Sequence, residues 1–361
     1  MIKIVTVVGA RPQFIKAAAV SRILHDKFSG RLSEALVHTG QHYDAKMSQV
    51  FFDELGIPPP KRNLEISGGL HGAMTGRMIE ALEKVMLEEQ PDWVLVYGDT
   101  NSTLAAALAA AKLYIRVAHV ESGLRSFNMR MPEEVNRIVA DRLSTLLLCP
   151  TAEAVENLSK EGLIKGVHLV GDVMYDASLH FSKIADQNPD ILARHGVVPK
   201  KYILATCHRA ENTDEPKRLA GIVQGLAILA KSQPVILPLH PRTKAKIAEY
   251  GLLDDLGDIS VIEPVSYLEM IALEKNAAII VTDSGGVQKE AFFYRVPCVT
   301  TREETEWVET VTSGWNTLVS SEASSMVRAI ERIPGLERLN VSPYGEGNAA
   351  ERILGVLLDV G

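Results

Sequence analysis

Runs of consecutive apolar residues recur along the chain, each followed by a stretch with helical spacing. In the first half the runs fall at 2–8, 34–39, 93–97, 115–120, 146–149 and 166–169. Helix-like stretches lie near 15–28, 72–90, 103–112, 133–143 and 151–161. Strands apolar on both sides of the pleat belong in a parallel sheet covered on both faces. The strand–helix order is that of βαβ units. The pattern breaks at Val170-Gly171-Asp172-Val173-Met174-Tyr175-Asp176, and a polar helical stretch with Pro189 follows. A second strand-first series then runs through 202–206, 234–239, 259–262, 277–282 and 296–299. The expected organisation is two domains, 1–172 and 173–344, hinged near 170–180, with the terminal segment 345–361 returning to the first.

A length of 361 residues suits two hydrophobic cores better than one. A 46% apolar and 23% charged composition is that of a globular chain, and a formal charge of -7 gives no general attraction to nucleic acid or acidic lipid. The strand expected at 2–8 leaves no room for a signal peptide, and no apolar run approaches the roughly 20 residues of a membrane span. The richest run, 104–113, is short and Ala-rich, which fits a helix packed closely on a sheet. A cytoplasmic location without membrane insertion is expected. Cys149, Cys207 and Cys298 lack C-x-x-C spacing and read as structural thiols in a reducing compartment.

Candidate chemistry gathers at strand ends, where parallel sheets turn and helix amides become available. Gly9-Ala10-Arg11-Pro12-Gln13-Phe14-Ile15-Lys16 is either an ordinary strand–helix turn or an anion site built on Arg11. It is neither a dinucleotide fingerprint nor a P-loop. At Gly98-Asp99-Thr100, Asp99 or Thr100 caps a helix, or Asp99 is a carboxylate held for chemistry. His119-Val120-Glu121-Ser122-Gly123-Leu124-Arg125 ends another strand, and Met131-Pro132-Glu133-Glu134-Val135-Asn136-Arg137 opens a helix. Glu133 and Arg137 stand four apart and are expected on one face. Carboxylates held close can split their pKa values, as paired acid and base roles require.

In the second half, Cys207-His208-Arg209-Ala210-Glu211-Asn212 reads as an anion or proton-transfer site, with Leu239-His240-Pro241-Arg242 a weaker parallel. Thr282-Asp283-Ser284-Gly285-Gly286-Val287-Gln288-Lys289-Glu290 has the form of a phosphate cradle at a helix start, or of a plain capped turn. Thr301-Arg302-Glu303-Glu304-Thr305-Glu306-Trp307 is a polar loop after a strand. No compact His, Cys or carboxylate cluster has metal-ligand spacing, so no metal is expected.

In this order, from Gly9-Ala10-Arg11-Pro12 to Thr305-Glu306, the segments resemble the non-hydrolysing UDP-N-acetylglucosamine 2-epimerases. The resemblance implies an α/β, glycosyltransferase-B-like architecture, two Rossmann-like domains with parallel sheets facing a cleft, in a homodimer. It implies interconversion of UDP-GlcNAc and UDP-ManNAc without NAD or any other cofactor. Asp99, Glu121, Glu133 and His208 match the family's catalytic positions. Arg11, Lys16, Arg137, His208, Arg209, Ser284, Gly285, Gly286, Glu290 and Arg302 match positions around substrate and UDP.

This chain departs from the commoner G-T-R-P-E and E-R-P-E forms with Gly9-Ala10-Arg11-Pro12-Gln13 and Glu306-Trp307-Val308-Glu309. There, and at Arg125-Ser126-Phe127-Asn128-Met129-Arg130, it is similar to relatives acting on UDP-2,3-diacetamido-2,3-dideoxyglucuronate, an alternative substrate. Gln41-His42-Tyr43 lacks the Arg of the Q-H-R segment near which bacterial relatives bind an activating UDP-GlcNAc, so such activation is not expected. The remaining alternatives are UDP-sugar glycosyl transfer and a UDP-sugar-binding regulator without catalysis.

Overall fold

The computed structural model describes residues 1–41, 56 and 59–360. Gln41 is among them; His42 and Tyr43 lie outside the described residues. The chain divides into two compact units, Met1–Leu179 with Ser342–Gly361, and His180–Val341.

The first unit holds a seven-stranded sheet built from β1 (Ile2–Val8), β2 (Leu32–His38), β3 (Arg62–Asn63), β4 (Trp93–Tyr97), β5 (Arg116–Val120), β6 (Leu146–Cys149) and β7 (Val167–Leu169). Their order is β3-β2-β1-β4-β5-β6-β7, and every pairing is parallel. The second unit holds β8 (Ile203–Thr206), β9 (Val235–Pro238), β10 (Ser260–Ile262), β11 (Ile279–Thr282), β12 (Cys298–Thr300) and β13 (Asn316–Leu318). Its order is β10-β9-β8-β11-β12-β13, again parallel throughout. Both units are therefore Rossmann-like, the fold class expected. Each sheet reverses direction of growth between its first and fourth strands, and the loops at that switch point are where such sheets present ligand-binding groups.

The continuous apolar strands are buried as their composition requires: all five residues of β4 and of β1's Ile4–Val8 segment are out of solvent. Ala105, Ala106, Ala107, Ala109 and Ala110 of the helix Asn101–Lys112 pack in the same core cluster as Val5, Val94 and Val96. Small side chains let this helix lie close to the sheet, which sets where its N-terminus falls. In the second unit, Ile203, Ala205, Val235, Leu237 and Val281 pack with Leu219, Ile222 and Leu226 of the helix Pro216–Ala230.

Two strands carry too little apolar pattern to be read from sequence. β3 is two exposed polar residues, and β13 is Asn-Thr-Leu. Both sit at sheet edges. The C-terminal helix Ala349–Val360 is tied into the first unit by Asp176, whose carboxylate accepts from the amides of Ala349 (3.0 Å) and Ala350 (2.8 Å). The three cysteines are buried free thiols. Among the described residues no helix is long and apolar enough to cross a membrane.

Candidate functional site

In the first unit the loops after β1 and β4 flank the switch point. Gly9 ends β1 where a Cβ would collide with Ser102 Oγ and Thr39 Oγ1, so the approach of backbone to helix requires glycine here. Gln13 closes this loop. Its Oε1 accepts from Gly9 N (2.8 Å) and Ala10 N (3.1 Å), while its Nε2 donates to Tyr97 O (2.7 Å) and Thr103 Oγ1 (3.0 Å). One amide side chain thus joins the ends of β1 and β4, using both its acceptor and its donor. Arg11 is the exposed first residue of the helix Arg11–Ile23. Lys16, a turn further on, is buried and forms an ion pair with Glu121 at the end of β5.

Glu121 has φ 70°, a left-handed backbone conformation uncommon for a side-chain-bearing residue. Its carboxylate and Lys16 both lie against Gly98, where an added Cβ would stand 3.2 Å from Glu121 Oε2 and 3.5 Å from Lys16 Nζ. Asp99 follows directly. The helix cap beside it is Thr100, which accepts from Thr103 N, so Asp99 is not spent on capping. Asp99 is instead ion-paired with Arg137.

The expectation that Glu133 and Arg137 share one face is corrected by the structure. Arg137 is buried and turns inward to Asp99 and to Glu134, three residues earlier, at 3.1 Å; Glu133 is exposed on the first helical turn. The cause is tertiary: the buried guanidinium lies between the buried Glu134 carboxylate and the partly exposed Asp99 at the end of β4, whereas Glu133 faces solvent. Asn136 reinforces the arrangement by donating to Asp99 O (2.9 Å) and Asn101 Oδ1 (3.1 Å).

Beneath these groups lies a buried polar set centred on His119 and Asp141. His119 Nε2 is 2.7 Å from Gly98 O, and His119 Nδ1 is 2.7 Å from Asp141 Oδ1. Both ring nitrogens thus lie within hydrogen-bond distance of an oxygen, one on a side chain and one on the backbone. Asp141 also meets Arg125 Nη1 at 2.7 Å and Gly123 N at 3.2 Å. Burial alone would raise the Asp141 carboxyl, but the His119 and Arg125 interactions outweigh it and hold the group below its ordinary range. His119 was visible as part of a strand-end motif; Asp141, twenty-two residues away, carried no signal.

In the second unit the switch-point loops follow β8 and β11. Asp283, fully buried after β11, accepts from the amides of His208 (3.1 Å) and Arg209 (3.0 Å) and from Asn212 Nδ2 (3.2 Å). It is the hub that draws the two loops together, a role the sequence did not single out. His208 is half-exposed, with Nδ1 3.7 Å from Asp283 Oδ1. The side chain of Arg209 is 3.6 Å from Glu211.

Ser284 caps the helix Gly285–Phe293, its Oγ accepting from Val287 N, and Gly285 and Gly286 form the first turn. The first amides of a helix have no partner within it and favour anions. The adjoining loop presses on this turn: a Cβ at Gly285 would stand 2.7 Å from Glu306 Oε1 and 3.4 Å from Trp307 Nε1. Arg302 is buried, pairs with Glu306 at 3.2 Å, and its Nη1 makes no hydrogen bond among the described residues. Lys289 lies over the Trp307 ring at 3.8 Å, and Gln288 Oε1 accepts from Thr305 Oγ1 (2.8 Å) and Asn316 Nδ2 (3.1 Å), which anchors the loop to the helix. Glu290, buried, accepts from Tyr267 OH at 3.1 Å. Among the described residues no group of three or more His, Cys, Asp or Glu side chains is arranged to hold a metal ion.

The sequence profile of the UDP-N-acetylglucosamine 2-epimerases matches residues 26–358. The chain belongs to the UDP-N-acetylglucosamine 2-epimerase family. Within it, the chain is 51% identical over 360 residues to a UDP-N-acetylglucosamine 2-epimerase homolog of Methanococcus maripaludis, covering 98% of this chain and 99% of that protein. It is also 51% identical over 356 residues to the UDP-2,3-diacetamido-2,3-dideoxy-D-glucuronate 2-epimerase of Pseudomonas aeruginosa, with 97% and 98% coverage. The crystal structure of Methanocaldococcus jannaschii UDP-GlcNAc 2-epimerase, in complex with UDP-GlcNAc and UDP, is similar over 100% of both chains, with a TM-score of 0.91 and 44% identity. The resemblance carried by the strand-end motifs is thus shown over the whole length of this epimerase-family chain.

Proposed function

We propose that the chain catalyses reversible 2-epimerisation of UDP-N-acetylglucosamine to UDP-N-acetylmannosamine by elimination and re-addition of UDP. The C2 hydrogen of such a sugar is weakly acidic, with no carbonyl beside it. Departure of UDP from C1 gives that carbon oxocarbenium character, which eases loss of the C2 proton and leaves a 2-acetamidoglycal. UDP then adds back at C1 while C2 receives a proton on the opposite face. No bond to an oxidised cofactor is needed at any step.

In this reading Asp99, Glu121 and Glu133 divide proton removal, proton return and charge stabilisation. Asp99 is supported by its release from capping and its pairing with Arg137. Glu121 is supported by its buried pairing with Lys16 and its φ of 70°, since backbone held in a costly region clusters at functional sites. His208, Arg209, Arg302 and the Ser284-Gly285-Gly286 turn hold the departing and returning diphosphate. Glu290 takes UDP hydroxyls, and Arg11 takes an anionic group of the nucleotide. A homodimer is carried over from the family resemblance.

The observation that carries the reading is the matching pair of switch points. In the first unit they present carboxylates with paired cations; in the second, a glycine helix start beside Arg302 and His208. One relative favours a second substrate. The Pseudomonas aeruginosa protein named for the diacetamido uronate is as similar as the first relative described, at 51%. Incubating the purified protein with each UDP-sugar in turn and resolving the epimeric products separates the two. Formation of UDP-N-acetylmannosamine supports the first reading, and turnover of the uronate alone transfers the same chemistry to that sugar.

A further inference from the structure

Glu134 is 1% exposed, whereas its neighbour Glu133 on the helix Pro132–Leu143 faces solvent. Its carboxylate is shared between two clients. One oxygen, Oε2, accepts from Ser126 N and Ser126 Oγ, both at 2.9 Å, and meets Arg137 Nη1 at 3.1 Å. The other, Oε1, accepts from Phe127 N at 2.9 Å. Phe127 is held there at φ 58°, a costly conformation for a bulky residue, and is 76% exposed. Arg137 in turn is paired with Asp99.

A continuous set of charge-assisted contacts therefore runs from an exposed aromatic on a strained turn, through one buried carboxylate, to the ion pair of Asp99. Such bonds are short and directional, so moving one client moves the other. The turn lies within Arg125–Arg130, where the sequence is similar to the diacetamido uronate enzymes.

We propose that Glu134 is a positioning residue that couples the Ser126–Phe127 turn to the Arg137–Asp99 pair. The inference rests on the catalytic placement of Asp99 proposed above. Glu134 itself touches no reacting atom. It keeps Arg137 from swinging fully to Asp99 and fixes the carboxylate's direction, while the same oxygens hold the turn in its left-handed conformation.

The test uses Glu134→Gln, which keeps the shape but places a donor against partners that themselves donate. Expected is a fall in kcat of about 10- to 100-fold, the range for misplacing a catalytic group, with the Kd for UDP within threefold of the parent. Ser126→Ala, which removes one bond to Glu134 Oε2, is expected to lower kcat in the same direction by a smaller factor, again without loss of UDP affinity. A kcat for Glu134→Gln within twofold of the parent overturns the inference while leaving the epimerase reading intact. So does a loss shared equally by kcat and UDP affinity, which marks a merely structural role.

Should the parent itself leave both UDP-sugars unchanged, the epimerase reading fails, and the coupling is read without turnover. The Arg137 Nε–H resonance is expected to shift in Ser126→Ala; an unmoved resonance overturns the inference.

Discussion

His119 Nδ1 lies 2.7 Å from Asp141 Oδ1, and neither side chain has any exposed surface. With Gly98 O on the other ring nitrogen, the pair supports the backbone that carries Asp99. Asp141 is also ion-paired with the buried Arg125, and removing one member of a buried charged pair leaves the other unsatisfied, at a cost of about 3–5 kcal/mol. Asp141→Asn is therefore expected to lower unfolding stability by about that much, measured by urea titration at neutral pH. A depressed carboxyl contributes stability that is present above its unfolded value and lost as pH falls through the folded one. The difference between parent and variant should accordingly shrink below about pH 3.8.

Asp176 gives the opposite sign. Burial pushes its carboxyl up to about 6, against the lowering effect of the Ala350 and Ala349 amides. The folded chain holds that proton more tightly than the unfolded one. Its contribution is thus full below the unfolded value and is lost as pH rises through the folded one, about 3 kcal/mol over the interval. Subtracting the pH profile of Asp176→Asn from that of the parent should isolate a stability decrease between pH 4 and 6. A flat difference profile would remove Asp176 from this role.

Asp99→Asn keeps an acceptor for Arg137 but removes the charge. Turnover is expected to fall by about 10²- to 10⁴-fold, the usual weight of a general acid or base, with UDP binding altered far less. Calorimetric titration with UDP beside steady-state rates checks both halves. Unchanged turnover removes Asp99 from the catalytic set.

Asp283 acts in the other unit, on the loop carrying His208 and Arg209. In Asp283→Asn one of its oxygens becomes a donor facing N–H groups. Loss of a charge-assisted hydrogen bond costs about 1.5–3 kcal/mol, so UDP affinity should weaken by about 10- to 100-fold. Gly285→Ala should weaken it too, because the new methyl meets Glu306 Oε1 at 2.7 Å. UDP affinity equal to the parent's in both variants would separate this turn from diphosphate binding.

The sheets were legible because strands buried on both faces need largely apolar runs, and β1, β4 and β8 have them. Edge strands escape that rule, so β3 left no trace. The strand-end motifs were legible as residue types; their partnerships were not. Arg137 bonds to Asp99, 38 residues earlier, and to Glu134 rather than Glu133, because its direction is set by which carboxylates the tertiary fold brings to its buried end. Asp283 stood in a motif that was read for its glycines, and its acceptor role depends on the amides of a loop 75 residues away. Helical spacing says which residues share a face; it does not say which of them a distant loop will claim.

Proton exchange at C2 is the step on which the whole account turns. The direct measurement is NMR of the UDP-sugar pool after incubation with the enzyme in deuterium oxide. One deuterium at C2 of the epimerised product is predicted. Epimer formation with the original hydrogen retained at that carbon would contradict the elimination and re-addition of UDP.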